Sequence, residues 1–164
     1  MPGRLMLDRT KVVEAIKPQT GGSARSGDWV SLKGYDHLTI IVQIAMGNAA
    51  TTAITVDKAT DVSGGGNSDG ITMNNIYKAT GNPISGSDAF TKLTAAASIT
   101  SGAGGAGSEI YVIEIEASEL GDYDCVQVEL GASHAANLVS ALYVLGGARF
   151  QSQAASWAVS AIID

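Results

Sequence analysis

Thr39-Ile40-Ile41-Val42-Gln43-Ile44-Ala45-Met46 is the stretch that decides the fold. Successive side chains of an extended chain point to opposite sides, so Ile40, Val42, Ile44 and Met46 share one face and Thr39, Ile41, Gln43 and Ala45 the other. The first set is wholly apolar and the second is mixed, which predicts a strand with one buried face. Cys125-Val126-Gln127-Val128-Glu129-Leu130 repeats the pattern, with Val126, Val128 and Leu130 opposed to Cys125, Gln127 and Glu129. Glu109 to Glu116 does so again, setting Tyr111, Ile113 and Ile115 against Ile110, Val112, Glu114 and Glu116.

Working outward, Ala53 to Thr60 reads as a further strand with Ile54 and Val56 inward. Asp28 to Leu32 places Val30 and Leu32 opposite Trp29 and Ser31, and the turn Lys33-Gly34-Tyr35-Asp36 then predicts a hairpin or a sheet corner with the strand around Ile41. Asn137 to Leu145 is nearly continuous apolar sequence, compatible with a buried strand or a short helix. Its β-branched and aromatic content favours a strand. Residues 71 to 108 carry short apolar pieces between Gly and Pro breaks, read as short strands and loops. About eight strands separated by turn signals predict an all-β protein, a two-sheet β-sandwich of jelly-roll type.

The 164 residues suit one domain. Residues 1–26 read as an N-terminal arm, because Pro18 and the run Thr20 to Gly27 interrupt a short apolar piece; residues 27–150 form the sandwich and residues 151–164 a C-terminal tail. In the tail, Trp157, Val159, Ala161 and Ile163 alternate with Ala158, Ser160 and Ile162, a strand pattern that needs a partner sheet.

Apolar residues make up 45% of the chain and charged ones only 16%, so Ala, Gly, Ser and Thr supply a neutral surface suited to packing against protein. The net charge of -6 and ten scattered Lys and Arg argue against a nucleic-acid partner. Charges at Arg4, Asp8, Arg9 and Lys11 break any apolar leader, and no stretch approaches the ~18 apolar residues of a membrane span. A soluble protein made in the cytoplasm, with no membrane partner, is expected. Cys125 is the single cysteine, which excludes an intramolecular disulfide and reads as a small packed residue.

No residue pattern in the sequence points to a catalytic, cofactor-binding or metal-ligating site. His37 follows Asp36 directly, so the two face opposite ways on a strand. Ser133-His134 pairs a nucleophile with a base, yet Ala135 stands where a nucleophile elbow needs its last glycine. Asp57, Asp61, Asn67 and Asp69 around a Gly-rich loop fit neither calcium-loop spacing. Ser101 to Gly107 has no Lys-Ser/Thr ending and precedes a strand rather than the helix of a phosphate loop. Glu114 and Glu116 are neighbours on one strand face, whereas a glycosidase pair must flank its bond from two sides. An enzyme is not expected.

The order of segments Gly27-DWVSLKGYDHLTIIVQIAMGN-Ala49, Ala53-ITVDKATDVS-Gly64, Tyr111-VIEIEASELGDYDCVQVEL-Gly131 and Leu138-VSALYVLGGAR-Phe150 resembles that of small capsid decoration, or cement, proteins of tailed bacteriophages, whose genes commonly lie near the major capsid protein gene. The resemblance spans about three quarters of the chain, in strand patterns either side of dissimilar middle loops. It implies a structural virion protein on the outer surface of an icosahedral capsid, bridging major capsid protein subunits and associating with itself as a dimer or trimer. No cofactor is implied. The partner contacts expected on this reading are Arg4, Leu5, Leu7, Val12, Val13 and Ile16 in the arm and Trp157, Val159, Ile162 and Ile163 in the tail, each segment completing a neighbour's sheet by strand addition. The alternative is a receptor- or carbohydrate-binding module of a phage tail or fibre, with the middle loops as its recognition face.

Overall fold

The computed structural model describes Met6 and residues 10–65, 69–81, 89–102 and 107–149. In chain order its strands are β1 (Lys11–Thr20), β2 (Arg25–Ser26), β3 (Val30–Ser31), β4 (Tyr35–Met46), β5 (Ala53–Ala59), β6 (Asp69–Gly70), β7 (Asn75–Gly81), β8 (Thr91–Leu93), β9 (Ser98–Thr100), β10 (Gly107–Glu116), β11 (Cys125–Leu130) and β12 (Leu138–Ala148). Sheet A runs β1-β12-β4-β10-β7-β8; sheet B runs β2-β11-β5-β6, with β3 also on β11 and β9 also on β5. All named pairs are antiparallel.

The chain pairs from the outside in: β1 with β12, β2 and β3 with β11, β4 with β10, and β5 with β6. That is one long hairpin wrapped over itself, the connectivity of a jelly roll. The segment 71–108 is an insertion in this plan, its β7 and β8 widening sheet A beyond β10 and its β9 flanking β5. Between the sheets lie Leu38, Ile40, Val42, Ile44, Tyr111, Ile113, Ile115, Val139 and Tyr143 from sheet A, and Ile54, Val56, Val126, Val128 and Leu130 from sheet B. The alternations at β4, β10 and β11 are therefore strands with one buried face, as their sequence indicates.

One expectation is resolved between its two alternatives and one changes. Asp28 to Leu32 and the strand after it make a corner, since β3 belongs to sheet B and β4 to sheet A. Residues 11–20 of the expected arm are the edge strand β1, hydrogen-bonded along β12, with Ala15 and Ile16 buried in the core. The segment satisfies its backbone within its own sheet, and two register shifts around Glu14, Ile16 and Gln19 accommodate Pro18, which has no N–H to give. The tail 151–164 lies outside the described residues.

One side chain ties the sheets together. β11 pairs with β2 at Glu129 and Leu130 and with β3 at Val126 and Cys125, leaving a break opposite Gly27. There the Val128 carbonyl accepts the Gly27 N–H at 2.8 Å, while the Val128 N–H donates to the Tyr143 hydroxyl of β12, also at 2.8 Å. The same hydroxyl donates to the Asp28 carbonyl at 3.0 Å. A Cβ at Gly27 would stand 3.0 Å from this hydroxyl and 3.1 Å from the Val128 carbonyl, so only glycine lets the oxygen in without a shift. Burial pushes the Tyr143 phenol well above its ordinary pKa and keeps it protonated as a donor.

Tyr143→Phe keeps the ring and deletes both bonds, leaving a buried Val128 N–H without its acceptor. The expected cost is about 1–3 kcal/mol, read as a lower urea midpoint with an unchanged far-UV spectrum.

Candidate functional site

The outer faces of the two sheets differ in character. On sheet B the outward row joins Ser26, Glu129, Thr55 and Ser98, and the next joins Gln127 and Asp57. The Ser26 hydroxyl donates to the Glu129 carboxylate at 3.0 Å. This face is polar, and Gln127 Nε2 donates to the Gly27 carbonyl.

Sheet A reads otherwise. The registers align Glu14 of β1, Leu142 of β12, Ile41 of β4, Val112 of β10, Tyr77 of β7 and Lys92 of β8 in one row across all six strands. Four consecutive apolar side chains thus lie between an acid and a base. Val12, Val144, Thr39 and Glu114 make the next row on one side; on the other, Ser140, Gln43, Ile110 and Ala79 stand between the central row and the pair Leu138 and Ala45. Val12 is 39% exposed, Leu142 41% and Leu138 53%. Scattered apolar side chains on a surface are ordinary, whereas a contiguous patch with a polar rim marks a contact site. The rim is supplied by Glu14, Lys92, His37 and Glu114. Lys92 Nζ donates to Asn75 Oδ1 at 3.0 Å and sits 5.8 Å from the Tyr77 ring centroid. His37 Nε2 lies 3.0 Å from Thr39 Oγ1 and 4.0 Å from Glu114 Oε1.

An open pocket of about 220 Å³ borders the patch where β1 bulges away from β12, lined by Pro18, Gln43, Ala45, Leu138, Val139 and Ser140. The edges of the sheets offer less. β1 carries Pro18 and two register shifts, and β8, β2, β3, β6 and β9 have only two or three residues each. Such edges are poor templates for a further strand.

Of the expected contact residues, Val12 is on this face, Val13 is half-buried against the core, and Ile16 is 3% exposed within it. Ile16 is spent on folding and is withdrawn from the contact set. Arg4, Leu5, Leu7, Trp157, Val159, Ile162 and Ile163 lie outside the described residues. Sequence reading missed Ile41, Ile110, Val112, Leu138, Leu142 and Val144 as a group. The signal available was the repeated apolar residue on the outward positions of β4, β10 and β12.

Ser133, His134 and Asp61 are engaged in local structure. Ser133 Oγ donates to the Ala50 carbonyl at 3.0 Å and accepts from Asn137 Nδ2 at 2.9 Å, while His134 Nδ1 accepts from the Ala136 N–H at 3.1 Å. Neither serves the other. Asp61 Oδ1 accepts the Ser63 hydroxyl at 2.6 Å and the N–H groups of Ser63 and Gly65, each at 2.9 Å. Those bonds, the Ser63 hydroxyl foremost, hold its carboxyl below the usual range and close the loop on itself. Among the described residues no group of three or more His, Cys, Asp or Glu is placed to hold a metal ion. No helix among them is long and apolar enough to cross a membrane.

Gly102 donates its N–H to Glu109 Oε2 at 3.0 Å. Glu109 is 2% exposed, yet charged: Lys78 Nζ is 2.7 Å from Oε1, and the Tyr111 hydroxyl donates to Oε2 at 2.7 Å. Burial acts to raise this carboxyl, and the bonds from Lys78, Tyr111 and Gly102 with the Lys78 charge outweigh it, holding it below its ordinary value. A depressed folded-state pKa gives stability that is full above the unfolded value, about 4.3, and is lost as pH falls through the folded one. Glu109→Gln is therefore expected to be less stable than the parent at pH 7, with the gap narrowing on acidification below about pH 4 in urea titrations.

Cys125 is buried, and its thiol donates to Asp124 Oδ1 at 3.1 Å. Burial first, then the Asp124 carboxylate, push its pKa up to about 12. A thiol reagent at pH 8 is expected to leave the folded protein unlabelled and to modify one cysteine only after denaturation.

No protein-family model matches the chain, and no curated protein matches it. Among solved structures it is similar to the crystal structure of the SPBc2 prophage-derived protein YomS, at 11% identity and a TM-score of 0.43, over 83% of this chain and 91% of that one. A family two carbohydrate esterase from Cellvibrio japonicus aligns at 15% identity and a TM-score of 0.26, over 85% of this chain and 34% of the esterase. Infectious bursal disease virus, Gt strain, aligns at 13% identity and a TM-score of 0.27, over 84% of this chain and 40% of that one. This chain spans less than half the length of the last two.

Proposed function

We propose that the chain is a structural virion protein that decorates a phage icosahedral capsid, bridging major capsid protein subunits and stabilising the shell. The observation that carries this reading is the contrast between the two outer faces: the polar residues of sheet B meet water, while sheet A presents Leu142, Ile41, Val112 and Tyr77 in one row. A face of this kind is a protein-contact surface. The segment resemblance to phage decoration proteins supplies the setting, a shell in which every copy has neighbours on several sides.

The sandwich suits that setting mechanically. Its core is continuous and its edges are short or bulged, so it keeps its shape when loaded and does not polymerise through free strands. Repetition over the shell lets a modest contact per copy hold firmly, because neighbouring contacts raise one another's effective concentration.

Immunogold labelling of intact virions with an antibody to this chain, with mass-spectrometric copy counting, tests the proposal. Label over the heads, at a copy number comparable to the major capsid protein, is expected. Label confined to tails or fibres at a few copies per particle would instead make the chain a recognition module.

A further inference from the structure

We infer that the outer face of sheet A is the contact between two copies of this chain, packed about a two-fold axis inclined by no more than about 15° to the strands, half the usual crossing angle of packed sheets. The inference deepens the proposed function and rests on its reading of this face as a protein contact.

The order of residues along the central row is what selects a second copy. From β1 to β8 the row reads Glu14, Leu142, Ile41, Val112, Tyr77, Lys92, with the midpoint between β4 and β10. A two-fold axis along the strands at that midpoint reverses the row and lays it on itself. Ile41 then meets Val112 of the second copy, Leu142 meets its Tyr77, and Glu14 meets its Lys92. Both ends close as opposite charges, twice per pair of molecules. A two-fold axis across the strands would instead stack Glu14 on Glu14 and Lys92 on Lys92. The row is thus complementary to its own reversal, which is what an isologous contact requires.

The central pair of the neighbouring row agrees with this choice, while the next pair out sets Val144 over Asn75 and the row on the other side sets Gln43 over Ile110. Thr39 on β4 and Glu114 on β10 are adjacent in register and equidistant from the midpoint. Reversal brings the Thr39 hydroxyl over the Glu114 carboxylate of the second copy, a donor over an acceptor. Sheets packed face to face cross at about 30°, which keeps the central rows in contact and lets the corners diverge. The exposed Val12 and Leu138 sit toward those corners and add apolar area outside the central rows.

The face is large enough. Six strands at about 4.8 Å spacing and roughly nine residues of 3.3 Å rise give on the order of 800 Å² per copy, the share each partner contributes to a standard stable interface.

Sedimentation of the full-length protein across a concentration series tests the inference. A monomer–dimer equilibrium is expected, with the dimer lost in Leu142→Glu, whose side chain is already 41% exposed and whose thermal melt checks that the sandwich persists. Glu14→Lys and Lys92→Glu, each alone, are expected to weaken the dimer about tenfold by setting like charges together. The double variant Glu14→Lys/Lys92→Glu restores it, because both crossing pairs return with their signs exchanged. A parent that stays monomeric overturns the inference. So does a dimer indifferent to Leu142→Glu and the charge exchanges but broken by Trp157→Ala, which would assign the contact to the tail. A monomer whose binding to heads is abolished by Leu142→Glu would give this face to the capsid, leaving the proposed function standing without the dimer. A dimer that obeys the charge exchanges while the chain is absent from virion heads would do the reverse.

Discussion

The bond from the Val128 N–H to the Tyr143 hydroxyl, 2.8 Å long, is the constraint on which the arrangement of sheet A depends. It spans the gap between the sheets and can form only if β12 lies in one register against β4 and β1. In that register Val139, Ala141, Tyr143 and Leu145 point inward and Leu138, Ser140, Leu142 and Val144 point out. A slip of one residue exchanges the two sets. For most strands the hydrophobic effect alone would resist such a slip, since it would bury polar groups. β12 is apolar on both faces, so burial discriminates weakly between its two registers, and a directional bond at a buried phenol supplies the discrimination.

This also explains how far the sequence could be read. At β4, β10 and β11 the inward and outward residues differ in polarity, and strict alternation gave both the element and its buried face. β12 read as a continuous apolar run because its outward positions hold Leu138, Leu142 and Val144, so a strand buried on one side looked like one buried on both. In the sequence β1 reads as an arm because Pro18 and Gly21-Gly22 are breakers, and nothing local to residues 11–20 shows that β12 lies beside them. The row Glu14, Leu142, Ile41, Val112, Tyr77, Lys92 is drawn from six strands over the sequence range 14 to 142. Each member looks unremarkable within its own segment, and only the ladders bring them together.

A second buried polar group closes the other half of the sandwich. Glu109 accepts from Lys78, Tyr111 and the Gly102 N–H, so it joins β7, β10 and the loop after β9. Taking a carboxylate to 2% exposure is costly, and the ion pair with Lys78 offsets that cost without a clear surplus. Its return is directional: the inserted strands β7 and β8 are positioned against β10 by a bond that apolar packing could not specify. Tyr77 and Lys92 owe their places in the outer row to this anchor, as Leu142 owes its place to Tyr143.

Edges and faces then divide the work of association. A free strand edge pairs through backbone groups that every chain possesses, so it accepts almost any partner and propagates without end. Pro18 and the bulges of β1, with the two- and three-residue strands at the other margins, remove that route. A side-chain row that is acidic at one end, basic at the other and apolar between is selective in partner and in direction, and a two-fold pairing consumes it completely. For a protein that the proposed function sets in many copies on one surface, the distinction is physical: contacts that close give a defined neighbour, while contacts that remain open give aggregates.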